Sequence, residues 1–161
     1  MTAPISEGRV SARLAELGLT LPPVVAPVAA YIPAVQHGDL VWTAGQVPMV
    51  DGALQLTGKV GNGPGLVDPD QAHQLARICA LNALAAVQSV VDLDRVVRVV
   101  KVVGYVASDP SFTGQPGVVN GASALLGEVF GPPGAHARSA VGVAVLPLDA
   151  PVEVELVVAV T

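Results

Sequence analysis

The spacing of hydrophobic residues near the N-terminus predicts a short helix. Apolar side chains recur at near-helical intervals over about residues 5–17, and Gly18 follows them as a stop signal. A proline-rich connector over 19–30 comes next and predicts an extended chain.

Two β-prone runs follow the connector, at about 32–37 and 40–44. The pair Gly38-Asp39 between them suits a tight turn, so the two runs predict a β-hairpin. The glycine-rich stretch 45–69 has few large apolar residues and predicts loop, with one short strand around 54–57.

A long helix is predicted to begin at Asp68. Asp68 suits the N-cap, Pro69 the first helical position and Gln71 the capping-box position. Small apolar residues then recur every three or four positions, which predicts a helix that lies close on a sheet and ends near Val91.

The remainder of the chain predicts three strands and one more helix. The valine-rich run 95–106 favours a central strand, since β-branched residues fit strands better than helices. Pro116 opens a helix that Gly131-Pro132-Pro133 ends, and two further β runs span 137–146 and 152–160. This order predicts an α+β sandwich with two helices covering one face of a sheet.

Length and composition indicate a single-domain protein that forms oligomers. The 161 residues are typical of one globular domain. Because 52% of the residues are hydrophobic and only 13% are charged, we expect an oligomer that buries apolar surface. A net charge of −5 without a basic run disfavours a nucleic-acid partner.

The lone Cys79 excludes a disulfide framework and predicts a small packed side chain. With no apolar span and no signal-like N-terminus, we expect a cytoplasmic protein without membrane contact.

The usual catalytic and metal-binding motifs are not found. His37, His73 and His136 are widely spaced and have no Cys-x-x-Cys to join, so surface histidines are expected instead of a metal site. Ser123 lies within a predicted helix, where we expect its hydroxyl to bond to the backbone. The glycine-rich segment 61–65 lacks the lysine of a P-loop and reads as a flexible loop.

The last two predicted strands carry the candidate chemistry. Arg138 shares a strand face with three small residues, Ala140, Gly142 and Ala144, which leaves room for a ligand beside the guanidinium. Glu153 and Glu155 share one face of the final strand, where an acidic pair needs a partner if buried. Arg138 is one candidate partner, and from periodicity alone a structural salt bridge or a solvated strand face is the preferred explanation of the pattern.

The spacing of an Arg-Ser segment, a Leu-Pro turn and a Val-Glu-Val-Glu strand near the C-terminus is specific, and further motifs precede it. The stretches concerned are Tyr31-Ile32-Pro33-Ala34-Val35, residues 38–48, Val118-Val119-Asn120-Gly121, His136-Ala137-Arg138-Ser139-Ala140-Val141, Leu146-Pro147 and Val152-Glu153-Val154-Glu155. Together they resemble the RidA family of imine deaminases, also called YjgF/YER057c/UK114. The resemblance covers about residues 28–160, so we expect 1–27 to be an N-terminal helix and connector before a RidA-like domain at 28–161.

The resemblance implies a chorismate-mutase-like fold with a mixed sheet, a homotrimer, and ligand pockets between subunits. It implies hydrolysis of a 2-imino acid or its enamine to a 2-keto acid and ammonia, with neither metal nor organic cofactor. By position, Arg138 would bind the substrate carboxylate and Glu153 would position water. The pocket lining implied by the resemblance comprises Tyr31, Ala44, Gly45 and Asn120.

Three departures from the family pattern bear on the substrate. Ala44 stands where many members carry serine, Ile32-Pro33 replaces the usual Ser-Gln, and Gly142 replaces a larger, often acidic residue. Two other functions stay open: a trimer that binds a small carboxylate without turnover, and an endoribonuclease or translation inhibitor, which the acidic composition disfavours.

Overall fold

The computed structural model describes residues 9–24 and 29–161. The first helix, α1, spans Arg9–Glu16, and Gly18 ends it with a positive φ of 66°, as predicted. Ile5 of the predicted helix lies outside the described residues. Asp94 caps α1 from a distant turn, because its carboxylate accepts the backbone N–H groups of Val10 and Ser11 at 2.8 and 3.0 Å.

Strands β1 (Ala34–His37) and β2 (Leu40–Thr43) form the predicted hairpin around Gly38-Asp39. The single strand predicted at 54–57 is wrong. The structure has instead a small hairpin of β3 (Met49–Val50) and β4 (Ala53–Leu54). Its turn is Asp51-Gly52, where both residues have positive φ, and an Asp-Gly pair is typical of such two-residue hairpin turns.

Helix α2 spans Pro69–Gln88 and begins as predicted. The Asp68 side chain accepts the backbone N–H groups of Asp70 and Gln71 at 2.8 and 3.4 Å. The helix ends three residues before the predicted Val91. Cys79 is fully buried in it, as expected, and burial, followed by the charge of Glu153, raises the pKa of its thiol well above the ordinary value.

The main sheet has five strands in the order β1-β2-β7-β5-β6. Strand β5 (Val96–Ala107) is an interior strand as predicted, antiparallel to β7 (Val152–Val160) and parallel to β6 (Ala137–Val143). Strand β6 is shorter than the predicted 137–146, so Ala144 lies beyond it. Helix α3 (Gln115–Phe130) lies between β5 and β6 in the chain.

Helices α2 and α3 cover one face of the sheet, which makes the fold the predicted α+β sandwich. Alternate residues of β7 are buried on this helix-covered face: Val152, Val154, Leu156, Val158 and Val160. The opposite, open face carries exposed apolar side chains, of which Trp42 is 50% and Val35 47% exposed. Among residues 9–24 and 29–161, no helix is both long and apolar enough to span a bilayer.

Candidate functional site

Arg138 lies at the margin between edge strand β6 and helix α3. Its Nη1 donates to Asn120 Oδ1 at 2.8 Å and to Ser123 Oγ at 3.2 Å, and its Nη2 donates to the carbonyl of Pro116 at 3.3 Å. These bonds use three of the five N–H groups of a guanidinium. Within the described chain, the Nε–H and one N–H of Nη2 therefore remain for a ligand.

Ser123 and His136 extend this group of side chains. Ser123 Oγ lies 2.9 Å from His136 Nε2, and His136 Nδ1 lies 2.6 Å from the carbonyl oxygen of Gly134. Two expectations were wrong here. The Ser123 hydroxyl bonds to side chains and not to its helix backbone, and His136 is half-buried instead of lying at the surface.

Glu153 lies on the open face of the sheet, beside Gly45. A side chain at residue 45 would begin 1.9 Å from Glu153 Oε1, so glycine is what admits the carboxylate at this point. Gln46 holds the segment in place by exchanging both backbone hydrogen bonds with Val154, at 2.8 and 3.0 Å. Burial, and second the charge of Glu155, raise the pKa of Glu153 above that of an ordinary glutamate.

Tyr105 joins the acidic pair from the neighbouring strand. Its hydroxyl donates to Glu155 Oε1 at 3.2 Å. Burial and the Glu155 charge raise the pKa of the phenol, so it stays protonated and keeps donating at neutral pH.

Arg138 and Glu153 are on opposite faces of one sheet. Arg138 pairs with Val102 and Glu153 pairs with Tyr105, and positions 102 and 105 of the same strand point to opposite sides. The candidate salt bridge from Arg138 to the acidic pair is therefore wrong. The ion pairs found in the described residues are Arg13–Glu16 and Arg77–Glu128.

The other predicted pocket residues divide between these two places. Asn120 is with Arg138, whereas Ala44 precedes Gly45 and donates its N–H to the carbonyl of Pro33 at 2.8 Å. Tyr31 precedes β1 at the same end of the hairpin and is 59% exposed.

The space that Gly142 leaves open on β6 is already filled. A Cβ at residue 142 would lie 2.7 Å from Gln115 Nε2. The Gln115 amide donates to Ser108 Oγ at 3.2 Å and to the carbonyl of Phe112 at 2.7 Å. Gln115 was missed by sequence reasoning, because only the fold shows that the first residue of α3 lies over a glycine of β6.

The remaining histidines form no cluster. His73 is half-buried, contrary to the exposed position expected for it, and its Nδ1 lies 2.9 Å from the carbonyl oxygen of Gly117. Across residues 9–24 and 29–161, no three His, Cys, Asp or Glu side chains are placed to hold a metal ion.

The chain is similar to a described protein family, to a protein of known sequence and to solved structures. Residues 11–160 match the family described as "YjgF/chorismate mutase-like, putative endoribonuclease". Protein TCP17 of Trypanosoma cruzi is 44% identical over 156 residues, covering 96% of each chain. The crystal structure of Atu1372 from Agrobacterium tumefaciens, a protein of unknown function, has a TM-score of 0.86 at 43% identity, covering 96% of this chain and 95% of that one. A putative endoribonuclease from Shewanella oneidensis MR-1 has a TM-score of 0.88 at 29% identity, covering 95% and 100%.

Proposed function

Because the chain belongs to the YjgF/chorismate mutase-like family, we propose that it hydrolyses 2-imino acids, or their enamine tautomers, to 2-keto acids and ammonia. The observation that carries the proposal is the Arg138 guanidinium. Three hydrogen bonds from α3 fix its orientation, and the Nε–H and one Nη2–H remain free within the described residues. A planar guanidinium presented in this way suits bidentate binding of a carboxylate.

The chemistry requires only an oriented imine and an activated water. Glu153 accepts a proton from water as the water oxygen attacks the C=N carbon. The nitrogen then takes that proton from Glu153, and as the C–N bond breaks the hydroxyl group loses its proton to Glu153 and becomes the carbonyl. Ammonia leaves and takes up this last proton as ammonium, which returns Glu153 to its ionised form. A protonated imine is already electrophilic, so proximity and general acid–base catalysis suffice without a metal or organic cofactor.

We further propose that each site is completed by two chains of a homotrimer. One chain holds Arg138 and Glu153 on opposite faces of its sheet, so a single ligand reaches both only if the second comes from another chain. The open face also exposes Val35, Trp42 and Val141, a set of apolar side chains that subunit contact would cover. The homotrimer is the assembly implied by the family resemblance, and it accounts for both features.

Two other functions make different demands on these residues. A trimer that binds a carboxylate without turnover needs Arg138 but not Glu153. The endoribonuclease named in the family description and in the Shewanella relative needs attraction to phosphates, for which a net charge of −5 is unfavourable. Neither of these two functions requires a carboxylate at Glu153, beside Gly45.

The direct test measures 2-keto acid formation from imines that an amino-acid oxidase generates in situ, with semicarbazide as a competing trap. We expect the wild-type protein to divert imine from the semicarbazone to the keto acid, for at least one of several amino acids. No acceleration over buffer with any of them would overturn the proposal. A parallel incubation with single-stranded RNA is expected to leave the RNA intact.

On acidification, we expect the activity to be lost at a higher pH than it would be with a general base that has the ordinary pKa of glutamate. Glu153 must be ionised to accept the water proton, and its pKa is raised by burial and by Glu155, so activity falls as the pH drops through that raised value. Glu155→Gln removes the neighbouring charge and should move the acid limb of the kcat/KM profile to lower pH. An unmoved limb in Glu155→Gln would show that another group controls it.

A further inference from the structure

Ser123 and His136 form a chain of hydrogen bonds that ends on Arg138. A carbonyl oxygen only accepts, so at 2.6 Å from Gly134 O the Nδ1 of His136 carries the proton. In the neutral imidazole Nε2 is then the acceptor, and the Ser123 hydroxyl donates to it at 2.9 Å. This leaves a lone pair of Ser123 Oγ to accept from Arg138 Nη1 at 3.2 Å.

Each bond in this chain fixes the direction of the next. The backbone carbonyl of Gly134 selects the tautomer of His136, the imidazole selects the rotation of the Ser123 hydroxyl, and the hydroxyl lone pair meets the guanidinium. All three side chains are half-buried, so the bonds are stronger than in open water. Asn120 holds the same Nη1 from the exposed side of α3, so Nη1 is held from two directions.

We propose that Ser123 and His136 are positioning residues for Arg138, which orient the guanidinium edge that receives the substrate carboxylate. The inference rests on the proposed function, because it gives Arg138 a carboxylate to bind. Neither residue touches the substrate, and His136 acts only through Ser123. Their contribution should therefore appear in binding of the carboxylate and not in the hydrolytic step.

The test compares Ser123→Ala, His136→Ala and the double variant, using imine hydrolysis together with calorimetric binding of 2-oxobutanoate as the carboxylate probe. We expect each single variant to raise KM and the dissociation constant about tenfold, the effect of losing roughly one hydrogen bond to a charged group, with kcat within about twofold. The double variant should be no worse than Ser123→Ala, because residues that act in series are not additive.

Conservative replacements separate positioning from general damage to the fold. Ser123→Thr keeps the hydroxyl, and His136→Gln offers an amide oxygen as acceptor for it, so both should recover most of the lost affinity. Ser89→Ala removes a hydroxyl that bonds within the end of α2 and is the matched control. Thermal unfolding of every variant shows whether a loss reflects the fold.

The outcomes distinguish this inference from the proposed function. If Arg138→Ala loses binding of 2-oxobutanoate while Ser123→Ala and His136→Ala keep wild-type KM, the positioning role is wrong and the proposed function stands. Additive losses in the double variant, or losses in kcat alone, would equally overturn the positioning role. If Arg138→Ala binds the probe like the wild type, the proposed function itself fails.

Discussion

Replacing Arg138 by alanine is expected to reduce kcat/KM for imine hydrolysis by about a thousandfold, equivalent to about 4 kcal/mol. The substitution removes the group proposed to receive the substrate carboxylate and also leaves Asn120 Oδ1 and the Pro116 carbonyl without their guanidinium donor. Initial rates of keto acid formation in the trapping assay measure the loss.

Two variants define what the arginine contributes. Arg138→Lys keeps the charge but lacks the planar fork, and we expect it to recover no more than about a tenth of the wild-type kcat/KM. Arg13→Ala removes an arginine of α1 that pairs with Glu16, and it should retain wild-type activity. A lysine variant as active as the wild type would contradict bidentate binding.

Replacing Glu153 by glutamine is expected to reduce kcat by about 100- to 10,000-fold, the usual range for loss of a general base. Glutamine has nearly the same shape and fits beside Gly45, but it cannot accept the proton of the attacking water. Binding of 2-oxobutanoate should change little, since Arg138 is intact. Calorimetry and the trapping assay on the same preparation measure both quantities.

This variant separates the enzyme from a protein that only binds carboxylates. Turnover that survives in Glu153→Gln would remove Glu153 from the mechanism, and a matching loss of affinity would place it in ligand binding instead. Glu155→Gln is the matched control on the same strand face, since its carboxylate already accepts the Tyr105 hydroxyl. It should retain turnover at a pH where Glu153 is ionised.

Most of the fold follows from local sequence signals. Asp68-Pro69 begins α2, Gly38-Asp39 turns the first hairpin, and the alternating valines of β7 give the buried face, because caps, turns and strand periodicity act over a few residues. The small hairpin around Asp51-Gly52 was missed because its strands are only two residues long and carry no periodicity.

The site depends on contacts that no local signal contains. Glu153 and Glu155 share a face because side chains alternate along a strand, which is a local property. That Arg138 is on the other face follows from the register of β5 with both β6 and β7. Likewise Ser123 and His136 are 13 residues apart and meet only because the turn after α3 returns the chain along that helix into β6. Those positions follow from tertiary packing.

A mixing experiment tests whether Arg138 of one chain and Glu153 of another form a single site. Arg138→Ala and Glu153→Gln are co-expressed with different tags, the mixed assemblies are isolated, and imine hydrolysis is compared with each variant alone. If one chain supplies Arg138 and its neighbour Glu153, each mixed closed trimer has one of its three interfaces intact, and activity should return to about a third of wild type. Mixed assemblies as inactive as either parent would contradict a site shared between chains.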